Sequence, residues 1–424
     1  MSYKVLRVIN ISYIEIFRHF FKKNPQALQS SYNHLIEIFK LEHYNYLNSF
    51  EEAMVENGNM AELIIYNFET LQDKWLQENQ TIKLDDSKKD DKLFKIFCLQ
   101  LDDKKPDVLL FQHSTPFNIS KLKELKKDFP FIKKIIFHNG IPIENNNLKY
   151  VDCVFAALPY LVNYYKNQGA ESTLVYHYFD TDIISKLTKP HNYVNDLIFI
   201  GKTGALNDEN HINRLNYLIK ILENKNIKFK CHSLERERQE FLINKLGFKS
   251  NFRNKLINFL KNVNLNYLKN LKSNYLPKKI NNLISDIFKN EKKFYLHEIY
   301  ENKVNLPLFG MEMYEQLKQS KIIFNIHTNQ SNYNCGNLRM FETTGIGSCL
   351  LTDYKQNIEE LFIPDEEILT YKDYDEFSSK YFQLISNNAL LNEISLKGQK
   401  KTFKQHSTKI RVEQINNLIN KMLS

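Results

Sequence analysis

Short apolar runs of strand length recur along the chain at Val5 to Ile11, Leu63 to Ile65, Asp107 to Phe111, Ile135 to Phe137, Val151 to Ala156 and Leu174 to Tyr176. Further runs lie at Leu197 to Ile200, Ile322 to Phe324, Cys349 to Leu351 and Ile368 to Leu369. Strands buried on both faces of a parallel sheet read as continuous runs of this kind, not as an alternation. Between several of them, apolar residues recur at three- and four-residue spacing, as in Ile119 to Phe129 and Leu215 to Leu222, which predicts helices. The alternation of the two patterns predicts an α/β protein built on parallel sheets. The polar stretch Thr181 to Val194, with Lys189-Pro190 inside it, interrupts both patterns and predicts a boundary near residue 190. The expected units are 1–190, 191–390 and a C-terminal helical part 391–424, the last returning to the first domain.

The chain has 424 residues, of which 42% are hydrophobic, enough to fill cores in two domains. Lys and Arg number 58 against 49 Asp and Glu, a net charge of +9, and the excess is local. Between Lys249 and Lys293 stand eleven basic residues against Asp286 and Glu291. Phe252, Leu256, Phe259, Leu260, Val263, Tyr267, Leu268 and Leu271 form an apolar stripe through the same stretch, which predicts a basic amphipathic helical insertion at about 235–295. Three readings of residues 249–293 stay open: a solvated helical hairpin, a surface for anionic lipid or a lipid-linked acceptor, and an oligomer contact. Nucleic acid is not expected as a partner, because the basic residues are interleaved with apolar ones and no recognised nucleic-acid module is present.

The five cysteines form no C-x-x-C pair and are odd in number, so neither a zinc site nor a disulfide framework is indicated and a cytoplasmic setting is expected. The first residues place charges where a signal peptide needs an apolar core, and no apolar run reaches membrane-spanning length. Membrane contact is therefore expected to be peripheral, on the inner face.

Two segments carry candidate chemistry. Gly201-Lys202-Thr203 follows the run Leu197 to Ile200, but Asp196 stands where a P-loop needs its first glycine. What remains is a turn at a strand's C-terminal end, read either as a simple βα connection or as a place where backbone N–H groups and a cation meet a diphosphate. The second segment, Asn334 to Asp353, brackets a short helix with glycines. If that helix starts near Gly336, Arg339 and Glu342 share one face at the C-terminal edge of the second sheet. Such a pair is either a surface salt bridge or a phosphate-binding guanidinium beside a ribose-binding carboxylate.

Asn337-x-Arg339-x-Phe341-Glu342, Gly345-x-Gly347, Leu350-Leu351-Thr352-Asp353, Glu360-Leu361-Phe362 and Ile368 to Tyr371 resemble the C-terminal half of the spore-maturation-protein-like glycosyltransferases, of the glycosyl transferases group 1 type. Phe199-Ile200-Gly201, His211-x-x-Arg214 and Gly310 to Tyr314 through Asn325 fit the same pattern, so the resemblance covers most of 195–380 outside the basic stretch. It implies a GT-B fold, two Rossmann-like domains facing across a cleft, with the acceptor side in the first and a nucleotide-sugar donor held by the second. It also implies a metal-independent transferase with no cofactor, using a UDP- or GDP-linked sugar on a saccharide or lipid-linked acceptor in surface polysaccharide or glycoconjugate synthesis, retaining chemistry being favoured. In similar retaining enzymes two spaced glutamates contact the donor, the second binding ribose. Glu342 matches the second, whereas Asn334 stands where the first would be. A non-catalytic scaffold or peripheral membrane-binding protein of the same fold is the alternative.

The expected donor ligands are Gly201, Lys202, Asn337, Arg339, Glu342 and Gly345, with the cations stabilising the leaving diphosphate. Across the cleft, His113 and His138 end strand-like runs, and His138 is the favoured catalytic candidate, against the reading of a satisfied structural histidine.

Overall fold

A computed structural model describes residues 2–424 except 45, 46, 48, 80–88, 113–118, 144–145, 189–191, 206–207 and 237–294. His113, the boundary near residue 190 and the basic stretch 249–293 lie outside the described residues. Two six-stranded parallel sheets form the framework. The first, in the order β2-β1-β3-β4-β5-β6, uses β1 (Lys4–Ile9), β2 (Met60–Ile65), β3 (Val108–Gln112), β4 (Lys134–Asn139), β5 (Cys153–Ala156) and β6 (Ser172–Leu174). The second, in the order β12-β11-β10-β7-β8-β9, uses β7 (Asn195–Gly201), β8 (Phe229–Ser233), β9 (Val304–Asn305), β10 (Ser320–Asn325), β11 (Cys349–Asp353) and β12 (Leu369–Tyr371).

Both faces of each sheet are buried, which is why their strands read as apolar runs. In the first sheet Leu6, Leu109, Ile135 and Val154 pack to one side, and Val5, Leu110, Ile136 and Phe155 to the other. In the second, Leu197, Phe199, Ile322 and Leu351 face one helical layer, and Ile198, Ile200, Ile323 and Leu350 face another. The two strands absent from the expectations are β8 and β9. β8 reads Phe-Lys-Cys-His-Ser and β9 is two residues long, so neither carries an apolar run.

The C-terminal helix Thr408–Leu423 packs on the first sheet, where Val412, Ile415 and Ile419 join Val5, Leu110 and Ile136. Its approach runs beside the outgoing connection between the sheets. The Phe179 N–H donates to the His406 carbonyl at 2.8 Å, and the Thr408 N–H donates to the Phe179 carbonyl at 2.9 Å. Two chain crossings are thereby tied together. Among the described residues, no helix is long and apolar enough to cross a membrane.

Candidate functional site

Parallel strands present their C-terminal ends on one edge, and open α/β sheets bind ligands outside that edge. Here β7 ends at Gly201 and β8 ends beside it, with His232 paired to Ile200 and Ser233 to Gly201. The helix Leu338–Gly345 starts close by, so that Leu338, Arg339 and Glu342 share a wall with Ile200, Gly201 and Lys202. The opposite wall comes from the first domain, from Ser12, Tyr13 and Ile16 after β1 and from Tyr44. Together they enclose a cavity of about 250 Å³. At its rim the Met311 N–H donates to the Glu42 carbonyl at 3.0 Å, and His19 Nε2 lies 3.0 Å from the Glu312 carboxylate, so the two domains touch directly.

Glu342 is buried on this wall. Its Oε1 accepts from the Tyr314 hydroxyl at 3.0 Å, and its Oε2 is 2.7 Å from Arg339 Nη1. Arg339 Nη2 in turn donates to the Ile200 carbonyl at 3.2 Å, which fixes the guanidinium to the end of β7. The one-turn spacing thus makes the ion pair and also puts both side chains on the cavity. Burial, and then the neighbouring Glu342 charge, push the Tyr314 phenol well above its ordinary pKa, so it remains a donor to the carboxylate.

Lys202 lines the same cavity. Its carbonyl accepts from Arg214 Nη1 at 2.7 Å, while Arg214 Nε and Nη2 reach the Ile326 carbonyl at 3.1 and 2.7 Å, pinning the turn to the loop after β10. The backbone donors just beyond Lys202 are already used. The N–H groups of Thr203 and Gly204 donate to the two oxygens of Glu235 at 3.1 and 3.2 Å. An internal carboxylate thus holds these two N–H groups, while Gly201 and Lys202 line the cavity. Gly204 has φ +78°, and a Cβ there would lie 2.4 Å from the His211 side chain, so the turn requires glycine.

Gly201, Lys202, Arg339 and Glu342 come together, but three other expected residues do not join them. Asn337 forms an amide pair with Asn325, its Nδ2 donating to Asn325 Oδ1 at 2.9 Å, and faces β10. Gly345 ends its helix against the Phe179 ring, which a Cβ would meet at 2.3 Å; its absent side chain serves packing. His138, on β4, is also corrected. Its Nε2–H donates to the Val175 carbonyl at 2.9 Å and its Nδ1 faces the Gln112 amide at 3.4 Å, within the first sheet's own layer. Gln112 Oε1 accepts from Arg7 Nη1 at 3.1 Å, and Arg7 makes a bidentate pair with Glu51 at 2.7 Å. Burial lowers the His138 pKa to about 4, so it is a neutral structural histidine, away from the cavity. Asn334 bridges the domains, its Oδ1 accepting from the Tyr160 N–H at 2.9 Å.

Three contributors carried no usable sequence signal of their role. Glu235 follows a polar strand, Tyr314 is one tyrosine among many, and His232 sits in β8, which no apolar run marks. A fourth feature lies just behind the site. His327 Nδ1 is 2.7 Å from Asp353 Oδ1; burial alone would raise the Asp353 carboxyl, but His327 and Lys355 bring it down to about 2.

Residues 282–417 match a family model described as glycosyl transferase-like. Comparison with curated proteins finds no match. Among solved structures, the chain is similar to a glycosyltransferase from Rickettsia africae ESF-5, at 11% identity over 100% of this chain and 99% of that one, with a TM-score of 0.55. It is also similar to sucrose-phosphate synthase from Thermosynechococcus elongatus, at 9% identity over 99% of both chains and a TM-score of 0.51. Anabaena HepE in complex with UDP-glucose is similar at 9% identity over 99% and 100% of the two chains, with a TM-score of 0.52. The chain thus has the GT-B fold, and residues 282–417 of its second domain are similar to the glycosyl transferase-like model.

Proposed function

We propose that the protein is a glycosyltransferase that takes a sugar from a nucleotide-sugar donor bound in the cavity between its two sheets. The observation that carries this reading is the convergence of Lys202, Arg339 and Glu342 on one wall of that cavity. A departing nucleoside diphosphate gains negative charge, and Lys202 and Arg339 supply fixed positive charge where it develops; losing one such group typically lowers the rate by ~10²–10³. Glu342 is acceptor-only, and a carboxylate already aligned by Tyr314 and Arg339 retains lone pairs for ribose hydroxyls. Charge neutralisation by side chains in place of a metal ion, and a retaining course, belong to this reading.

A UDP- or GDP-linked sugar is the proposed donor, and the UDP-glucose bound to the similar Anabaena protein supports the uridine form. The acceptor, a saccharide or lipid-linked saccharide in polysaccharide or glycoconjugate synthesis, would enter from the side of the first domain. The proposed location is cytoplasmic, with residues 249–293 meeting an anionic membrane.

Calorimetric titration of UDP, GDP, ADP and CMP into the wild type, Arg339→Ala and Lys202→Ala tests the assignment. One nucleotide should bind and lose at least ~10-fold in affinity in each variant, equivalent to ~1.4 kcal/mol. Lys202→Ala keeps the carbonyl contact to Arg214, so its effect reports the lost ammonium. If no nucleotide binds the wild type, the catalytic reading fails and the non-catalytic scaffold stands.

A further inference from the structure

His232 lines the cavity at the end of β8, between Ile200 of β7 and Asn305 of β9 in register. The residue is only 6% exposed. Its Nδ1 lies 2.6 Å from the Leu306 carbonyl, which can only accept, so this nitrogen carries the proton. Burial lowers the pKa of the ring from its ordinary value, which keeps the imidazole neutral. Nε2 is then a lone-pair acceptor. It is buried and has no hydrogen-bond partner among the described residues.

An unsatisfied buried acceptor is unfavourable by ~1–3 kcal/mol, and so marks a position that a ligand's donor would complete. The surroundings define which donor. Leu234, Pro307, Leu308 and Phe309 line the same cavity and suit the face of a planar ring, while Lys202 and Arg339 supply the charge for phosphate.

We propose that His232 reads the nucleobase of the donor, its Nε2 accepting the ring N–H that uracil and guanine carry and that adenine and cytosine lack. The assignment rests on the cavity being a nucleotide site, and it adds to that reading the residue that selects the base. A pocket built to receive a hydrogen bond rejects analogues that cannot make it, because the buried partner is then left unpaired.

The test compares UDP with N3-methyluridine diphosphate, and GDP with 1-methylguanosine diphosphate, by calorimetry on the wild type, His232→Ala and His232→Gln. ADP, CDP and inorganic pyrophosphate serve as further probes. In the wild type, UDP or GDP should bind at least ~10-fold more tightly than its methylated form and than ADP and CDP. His232→Ala should bind the parent and methylated nucleotides alike while its pyrophosphate affinity is unchanged, and His232→Gln, which keeps an acceptor, should retain part of the preference. Equal binding of parent and methylated nucleotide by the wild type overturns the proposal whether or not the variants fold, as does a full preference in His232→Ala. Either result would leave the nucleotide site itself intact. Absence of any nucleotide binding by the wild type would overturn both readings, and the choice between UDP and GDP names the base.

Discussion

Glu235 holds Thr203 from two directions: its Oε2 accepts the Thr203 N–H at 3.1 Å and the Thr203 hydroxyl at 3.3 Å. The same oxygen accepts from the Ser233 hydroxyl at 2.8 Å, and Oε1 takes the Gly204 N–H at 3.2 Å. Successive backbone N–H groups make a concavity suited to an anion, and here the anion is part of the chain. The turn that carries Lys202 into the cavity is thus shaped before any ligand arrives.

Removing that carboxylate should loosen the turn. Glu235→Ala leaves the buried donors of Thr203 and Gly204 unpaired, at ~1–3 kcal/mol each, and should weaken UDP binding through misplacement of Lys202. Chemical denaturation and UDP titration of the same variant check both parts. Glu235→Gln, which keeps an oxygen for one N–H, should fall between the variant and the wild type. Unchanged stability in Glu235→Ala would show that the turn holds itself.

Tyr314→Phe separates support of Glu342 from contact with the ligand. The hydroxyl donates to a buried carboxylate, and hydrogen bonds to charged groups contribute ~1.5–3 kcal/mol. The variant should lose stability of that order and bind UDP more weakly, though less so than Glu342→Ala, because Arg339 still aligns the carboxylate. Equal loss of UDP affinity in the two variants would instead mean that Tyr314 itself touches the ligand.

The fold was legible because parallel strands buried on both faces leave apolar runs, and ten such runs fall on strands of the two sheets. β8 and β9 escaped because a polar strand and a very short one leave no apolar run, yet β8 delivers His232 to the cavity, and Glu235 just beyond it holds the turn next to Lys202. Within the candidate site, helical spacing correctly placed Arg339 and Glu342 on one face, since i and i+3 positions are neighbours whatever the tertiary context. The position of His138 depended on more than its strand end. Gln112 comes from β3 and the Val175 carbonyl from the segment after β6, and only the assembled sheet brings these partners to the ring. Gly345 was misread for a related reason: a glycine needed by a neighbour's aromatic ring has the same sequence appearance as one needed by a ligand.

Gly345→Ala gives that distinction a measurement. The added methyl group would sit 2.3 Å from the Phe179 ring, which is itself buried and tied to the C-terminal crossing. Overpacking of this kind typically destabilises by ~1–3 kcal/mol. Thermal melting should show the loss, whereas the UDP affinity of the folded fraction should stay at the wild-type value. A selective loss of UDP binding with unchanged melting would return Gly345 to the donor site.

Acid should act on the scaffold through its buried histidines, most strongly His138 and His406. Burial lowers both His138 and His406 from the ordinary 6.5 to about 4. His406 Nε2 is bound to the Leu361 carbonyl at 3.0 Å, beside the paired chain crossings. For a group whose pKa is lower when folded, the unfolded chain takes up its proton first as pH falls. Stability is therefore complete above pH ~6.5 and drains as the pH drops towards ~4, by up to ~3 kcal/mol for each histidine. Asp353, lowered to about 2, follows in a separate and more acidic window, below its unfolded value of 3.8. Urea midpoints measured between pH 8 and pH 4 should decline below ~6.5, and His138→Gln should remove part of that decline. A flat profile in the wild type would contradict the neutral, buried state of both rings, and a full decline in His138→Gln would assign the effect to the other histidines that burial lowers, His406, His211 and His232.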